Sequence, residues 1–114
     1  MSVTVDLSSW YGEQVVNYVN LPAYTTAEVE LMNLEARLYA DAAYTSLLAT
    51  ATITILDAPP GGAPASWTGA WIQETWPSAS TQQSPGAYYH SLADVNSNTG
   101  LQDGKLTIRP PRAI

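Results

Sequence analysis

Cysteine is absent from the 114 residues, which removes disulfide staples, thiolate metal sites and a cysteine nucleophile together. Histidine occurs once, as His90, and a single imidazole leaves little room for zinc ligation or a catalytic triad. Phenylalanine is missing too, so the 4 tryptophans and 7 tyrosines must supply the aromatic volume of any core. Cations are scarce: Lys plus Arg number 4 against 10 Asp plus Glu, a net charge of -6 that repels polyanions and excludes nucleic acid as an expected partner. No apolar run reaches membrane-spanning length, and the opening M-S-V-T-V-D-L has neither a basic n-region nor an apolar h-region, so cytoplasmic synthesis without a signal peptide is expected. What remains is a chain 46% hydrophobic and 12% charged, long enough for one domain with one core and too apolar for a disordered acidic segment.

Period-2 alternation recurs along this chain. Val3 to Leu7 reads as a short strand or an arm, and residues 8 to 26 carry Trp10, Tyr11, Tyr18 and Tyr24 with one charge, Glu13. A strand or irregular crossing is expected near 14 to 20, with a turn at Pro22. From residue 26 to 43 two rules conflict. Thr25-Thr26-Ala27-Glu28 has the form of a capping box ahead of good helix formers, while Leu34, Ala36, Leu38 and Ala40 alternate with polar neighbours. The alternation is preferred, as a hairpin of strands near 33 to 40 and 47 to 56; a helix over 26 to 43 is the alternative and would make the fold α+β. The Pro- and Gly-rich stretch 57 to 66 is a loop. A strand is then expected from Ser66 to Trp76, with Trp67, Gly69 and Trp71 on one face, and another loop over Pro77 to Pro85. Gly86 to Val95 is a Tyr-rich strand with Tyr88 and Tyr89 on opposite faces. Asn96 to Gly100 is a turn, and Gly104 to Ile108 is a closing strand, expected at an edge or interface, with Leu106 and Ile108 inward. Short strands separated by turn clusters indicate an all-β antiparallel sandwich. Its expected divisions are an N-terminal apolar segment at 1–26, a sandwich at 27–109 and an extended tail at 110–114.

The run from Pro85 to Pro110, with Pro85-Gly86, the pair Tyr88-Tyr89, then Leu92, Asp94 and the strand Gly104-Lys105-Leu106-Thr107-Ile108, resembles the closing hairpin of small immunoglobulin-like proteins and domains of tailed bacteriophages and prophages. The alternating run from Leu34 to Leu56 is similar to an earlier hairpin of the same sandwiches, so the resemblance covers about residues 30 to 110. It implies an immunoglobulin-like β-sandwich serving as a docking module in a tail, neck, baseplate or capsid surface, located in the virion, bound to its own copies and to other virion proteins.

The candidate chemistry is sparse. His90 and Asp94 lie roughly 13 Å apart if the segment is extended, and a structural histidine is the better reading. Asp94-Val95-Asn96-Ser97-Asn98 has the opening spacing of a calcium loop, but Thr99 stands at the glycine position and Lys105 at the bidentate-acid position, so turn-forming roles explain these residues. Gly61-Gly62 precedes neither Lys-Ser nor Lys-Thr, which leaves a phosphate cradle unsupported. No catalytic residue, cofactor or metal site is assigned. The expected subunit-interface residues are Trp10, Tyr11, Tyr18, Tyr24, Arg109, Arg112 and Ile114, because a small sandwich cannot bury so many aromatics near its N-terminus. A second reading, a carbohydrate-binding module, assigns Trp67, Trp71 and Tyr89 as an aromatic platform for a host-surface glycan.

Overall fold

The protein is described by a computed structural model that covers residues 3–111. In chain order its elements are β1 (Val3–Thr4), β2 (Leu7–Trp10), β3 (Val15–Leu21), α1 (Thr26–Glu30), β4 (Leu34–Tyr39), β5 (Leu47–Thr50), β6 (Thr52–Leu56), β7 (Ala70–Trp76), a 3-10 turn (Ser78–Thr81), β8 (Gly86–Asp94) and β9 (Thr99–Arg109). Alternation governs burial: β3 buries Val15, Asn17, Val19 and Leu21, and β7 buries Ala70, Ile72, Glu74 and Trp76. Between the sheets the core holds Val19, Leu38, Ile72, Trp76, Leu92, Leu106 and Ile108.

One sheet runs β1-β9-β8-β4-β5, with β2 continuing along β9, and the other runs β3-β7-β6. All pairings are antiparallel except those of β1 and β2, which lie parallel to β9. In the lettering of immunoglobulin domains β9-β8-β4-β5 is G-F-C-C′ and β3-β7-β6 is B-E-D, so the fold is an immunoglobulin-like β-sandwich. The N-terminal segment supplies β1 within the strand or arm expected at Val3 to Leu7, then β2, and β3 where a strand or crossing is expected near 14 to 20. The closing strand β9 is longer than expected and lies between β8 and β1/β2, not at an edge. Its inward residues Leu106 and Ile108 and its outward Lys105, Thr107 and Arg109 are as the alternation indicates.

The conflict at 26–43 resolves into both elements. Thr25 and Glu28 form a reciprocal capping box, and the helix it starts lasts one turn. From Leu34 the chain pairs with β8, Leu34 opposite Asp94 through Tyr39 opposite Tyr89, and this ladder outweighs helix propensity in a segment too short to be stable alone. The run expected as one strand from 47 to 56 divides at Ala51. β5 stays beside β4, while β6 crosses to the other sheet and pairs with β7. The strand expected from Ser66 begins at Ala70. Gly69 turns the chain with φ +87, where a Cβ would fall 2.7 Å from the Leu21 carbonyl oxygen, so Trp67 and Gly69 precede the strand.

Two contacts anchor β8 where an immunoglobulin domain carries its disulfide. The Tyr88 hydroxyl donates to the Ser84 carbonyl, forming the tyrosine corner of immunoglobulin-like domains, and two residues on, where antibody domains carry the second cysteine of the inter-sheet bridge, stands His90. Its Nε2 lies 2.7 Å from the Val5 carbonyl oxygen. A carbonyl only accepts, so Nε2 carries the proton. Val5 bends inward between β1 and β2 over Gly104, where a Cβ would lie 1.9 Å from the Val5 oxygen. Asp6 closes the gap by accepting the Lys105 N–H.

Candidate functional site

Three polar side chains enter the sandwich from three strands. Asn17 on β3 donates from Nδ2 to Glu74 Oε1 on β7 and to Gln102 Oε1 on β9, each at 2.9 Å. Both amide protons are thereby used and the orientation of both amides is fixed. Glu74 is fully buried, and its Oε2 has no hydrogen-bond partner among the described residues. Burial pushes this carboxyl above the usual glutamate range, a shift that the bond from Asn17 partly offsets.

Asn17 and Gln102 also line a cleft of about 490 Å3 on the side where β1 and β3 form the open edges of the two sheets. Tyr18, Asn20 and Trp67 contribute to its walls, and none of its lining residues is charged. A smaller hollow of about 150 Å3, bounded by Leu21, Tyr24 and Leu101, adjoins it along β3. In a constant-type domain strand A would pair with B here; in this chain the N-terminal strands pair with β9, and among the described residues no strand lies beside the outer edge of β3.

The outer face of the three-stranded sheet is a grid of three rows: Val16, Thr75 and Thr52; Tyr18, Gln73 and Thr54; Asn20, Trp71 and Leu56. None of the nine is charged. Val16 and Tyr18 are 44% and 42% exposed. The outer face of the other sheet is different. It carries Glu35 and Arg37, paired at 2.8 Å, together with Lys105 and Arg109. Tyr44, from the loop after β4, lies edge-on to Tyr39 at 5.4 Å and to Tyr89 at 6.2 Å. Asp41 holds that loop by accepting from the Thr45 and Ser46 amides and the Thr45 hydroxyl. These bonds, the hydroxyl first, keep its carboxyl below the usual range.

The expected interface residues do not form one patch. Tyr11 and Tyr18 are exposed, and Tyr24 is half-buried against the core. Arg109 sits 5.3 Å from the centre of the Trp10 ring, so these two residues engage each other. Arg112 and Ile114 lie outside the described residues. The expected platform is divided, which is a correction to the sequence reading: Tyr89 is on the outer face of the six-stranded sheet, Trp71 on that of the three-stranded sheet, and Trp67 in the preceding loop, where its carbonyl accepts the Trp71 Nε1 proton.

His90 is buried on Val5, and burial lowers its pKa below the usual imidazole range while the Val5 bond acts in the opposite sense. Asp94 organises the β8–β9 turn. Its carboxylate accepts from the Asn33 and Asn96 amides and the Ser97 hydroxyl. Burial raises its pKa, but these bonds outweigh that and leave it lowered. The residues that sequence reading missed, Asn17, Glu74 and Gln102, had one signal: Asn17 and Glu74 fall at inward parity within V-V-N-Y-V-N-L and I-Q-E-T-W.

No family model matches the chain, and no curated protein matches it. Among solved structures it is similar to the NK cell receptor Nkp44, a triggering partner in natural cytotoxicity, with 12% identity and a TM-score of 0.43 over 96% of this chain and 98% of that one. The immunoglobulin-like assignment rests on the strand order and not on that likeness.

Proposed function

We propose that the chain is a non-catalytic docking module of a bacteriophage particle, binding its own copies and other virion proteins. The observation that carries the reading is the uncharged grid on β3, β7 and β6. A surface that collects none of the charged side chains among the described residues while presenting Tyr18, Trp71, Val16 and Leu56 has the composition of an interface centre, where charge is depleted and aromatic residues are enriched. The phage context is supported by the resemblance of the Pro85–Pro110 hairpin, and the tyrosine pair and alternation on which that resemblance depends lie in β8 and β9.

The test is the mass in solution by light scattering over a concentration series. Gln73, at the centre of the grid, is changed to Glu at nearly constant shape. The wild type is expected to associate with rising concentration and Gln73→Glu to remain a monomer, with stability changed by no more than about 0.5 kcal/mol. A wild type that stays monomeric at every concentration, or a Gln73→Glu protein that associates as the wild type does, overturns self-association through this face.

A further inference from the structure

We propose that the cleft between β1 and β3 binds a neutral sugar unit. Its floor is built from two amides, Asn17 and Gln102, 7% and 6% exposed. The bonds among Asn17, Glu74 and Gln102 leave Asn17 Oδ1 as an acceptor and Gln102 Nε2 as a donor, neither with a partner among the described residues. Neither atom is sealed from solvent, so both meet whatever enters the cleft. Asn20, whose Nδ2 is held by the Thr68 and Ala70 carbonyls, adds a further acceptor at the rim.

Fixed amides with unused capacity match a ligand with adjacent hydroxyls, each of which donates and accepts. Tyr18 and Trp67 on the walls supply aromatic rings, whose faces, negative at their centres, suit the C–H side of a pyranose. With no charged residue lining it, the cleft has nothing to neutralise a phosphate, a carboxylate or an ammonium group. Its volume of about 490 Å3 falls in the range of small-molecule sites, roughly 300–1,000 Å3. An uncharged peptide strand along the free edge of β3 is the competing occupant. The sugar is favoured because the buried donor and acceptor come from side chains at the floor, whereas strand addition would draw on the backbone of the edge.

The cleft borders the self-association grid and shares Tyr18 and Asn20 with it, so its test uses residues that the grid does not contain. Gln102 and Trp67 lie outside the grid, so the two ideas fail separately. The probes are maltose, lactose, cellobiose and diacetylchitobiose, titrated at millimolar concentration and followed by tryptophan fluorescence and by ligand-observed NMR. Saturable binding of at least one sugar is expected. Trp67→Ala, in a loop, and the near-isosteric Gln102→Met should each weaken it by about tenfold, and Tyr89→Ala on the opposite face should leave it unchanged. Circular dichroism of each variant confirms that it is folded. Three results overturn the proposal: no saturable change with any of the four sugars, binding that Trp67→Ala leaves intact, or binding of an alternating Thr-Val peptide in their place with protection of β3 amides from hydrogen exchange.

Discussion

The two sheets differ in how far the chain completes them. The six-stranded sheet is finished from within. β1 and β2 extend it beyond β9, the Tyr44 loop covers Tyr39 and Tyr89, and Arg37 is paired with Glu35. Among the described residues, the three-stranded sheet is left open at the β3 edge and over its outer face. The chain's aromatic and charged groups are therefore used twice in different ways. On one face they satisfy one another; on the other, charge is excluded and the rings face outward. A docking surface is expected on the unfinished sheet, because covering it displaces fewer contacts already made.

The sharpest way to break this contrast is to undo the completion of the larger sheet. Gly104→Ala places a methyl 1.9 Å from the Val5 carbonyl oxygen, against backbone that cannot rotate away. The segment joining β1 to β2 must lift, taking with it the His90 bond to Val5 and the Asp6 bond to Lys105. A loss of about 3 kcal/mol or more is expected in chemical denaturation, with increased hydrogen exchange at Val5 and Lys105. A Gly104→Ala protein as stable as the wild type would show that the N-terminal strands are an appendage and not part of the sheet.

A smaller effect is expected from uncovering the tyrosine face. Tyr44→Ala removes two edge-on ring contacts, each worth about 0.5–1.5 kcal/mol, and the second is the longer of the two, so a loss toward the lower part of their sum, about 1–2 kcal/mol, is expected by thermal or denaturant unfolding. Tyr39 and Tyr89 then become exposed, and the larger sheet gains an apolar surface beside Leu47, itself 53% exposed at the β5 edge. If light scattering shows that Tyr44→Ala associates more strongly than the wild type, the loop is a cover. Unchanged association together with unchanged stability would mean that it is only a turn.

The sequence showed the architecture of the larger sheet better than that of the smaller. Local alternation marked β4, β8 and β9 with the correct inward residues, Ala36, Leu38, Leu106 and Ile108, and the capping box at Thr25 and Glu28 was visible at its true length only once the ladder beside it was known. What could not be read was partnership over long separation. The change of sheet at Ala51 has no turn residue to announce it, because the break is a single residue whose N–H still donates to Ala36. The cleft was hidden for the same reason. Asn17, Glu74 and Gln102 are 57 and 85 residues from one another along their hydrogen bonds, and each alone looks like an ordinary interruption of a strand. Tyr89 and Trp71 matched in residue type, yet assignment to sheets on opposite sides separates them.

The buried polar groups of the two sheets sharpen the contrast with the smallest expected effect. His90, in the larger sheet, donates to Val5 and is held neutral; its folded pKa is lowered chiefly by burial. The stability it contributes is present above the unfolded imidazole value and is lost as pH falls through the lower folded value. Glu74, in the smaller sheet, is shifted the other way, its folded pKa raised by burial. Its contribution is complete below the unfolded glutamate value and is lost as pH rises through the folded value, when a charge must form on a carboxyl whose Oε2 has no partner among the described residues. Glu74→Gln keeps an oxygen for Asn17 to donate to and cannot ionise. Below the unfolded glutamate value it should therefore match the wild type in denaturation midpoint. As pH rises toward neutrality it should become the more stable protein, by about 1 kcal/mol, while the acid-side loss due to His90 persists in both. Midpoints that stay equal across the whole range would show that Glu74 is already satisfied in the native state, and that the interior of the smaller sheet is as complete as that of the larger.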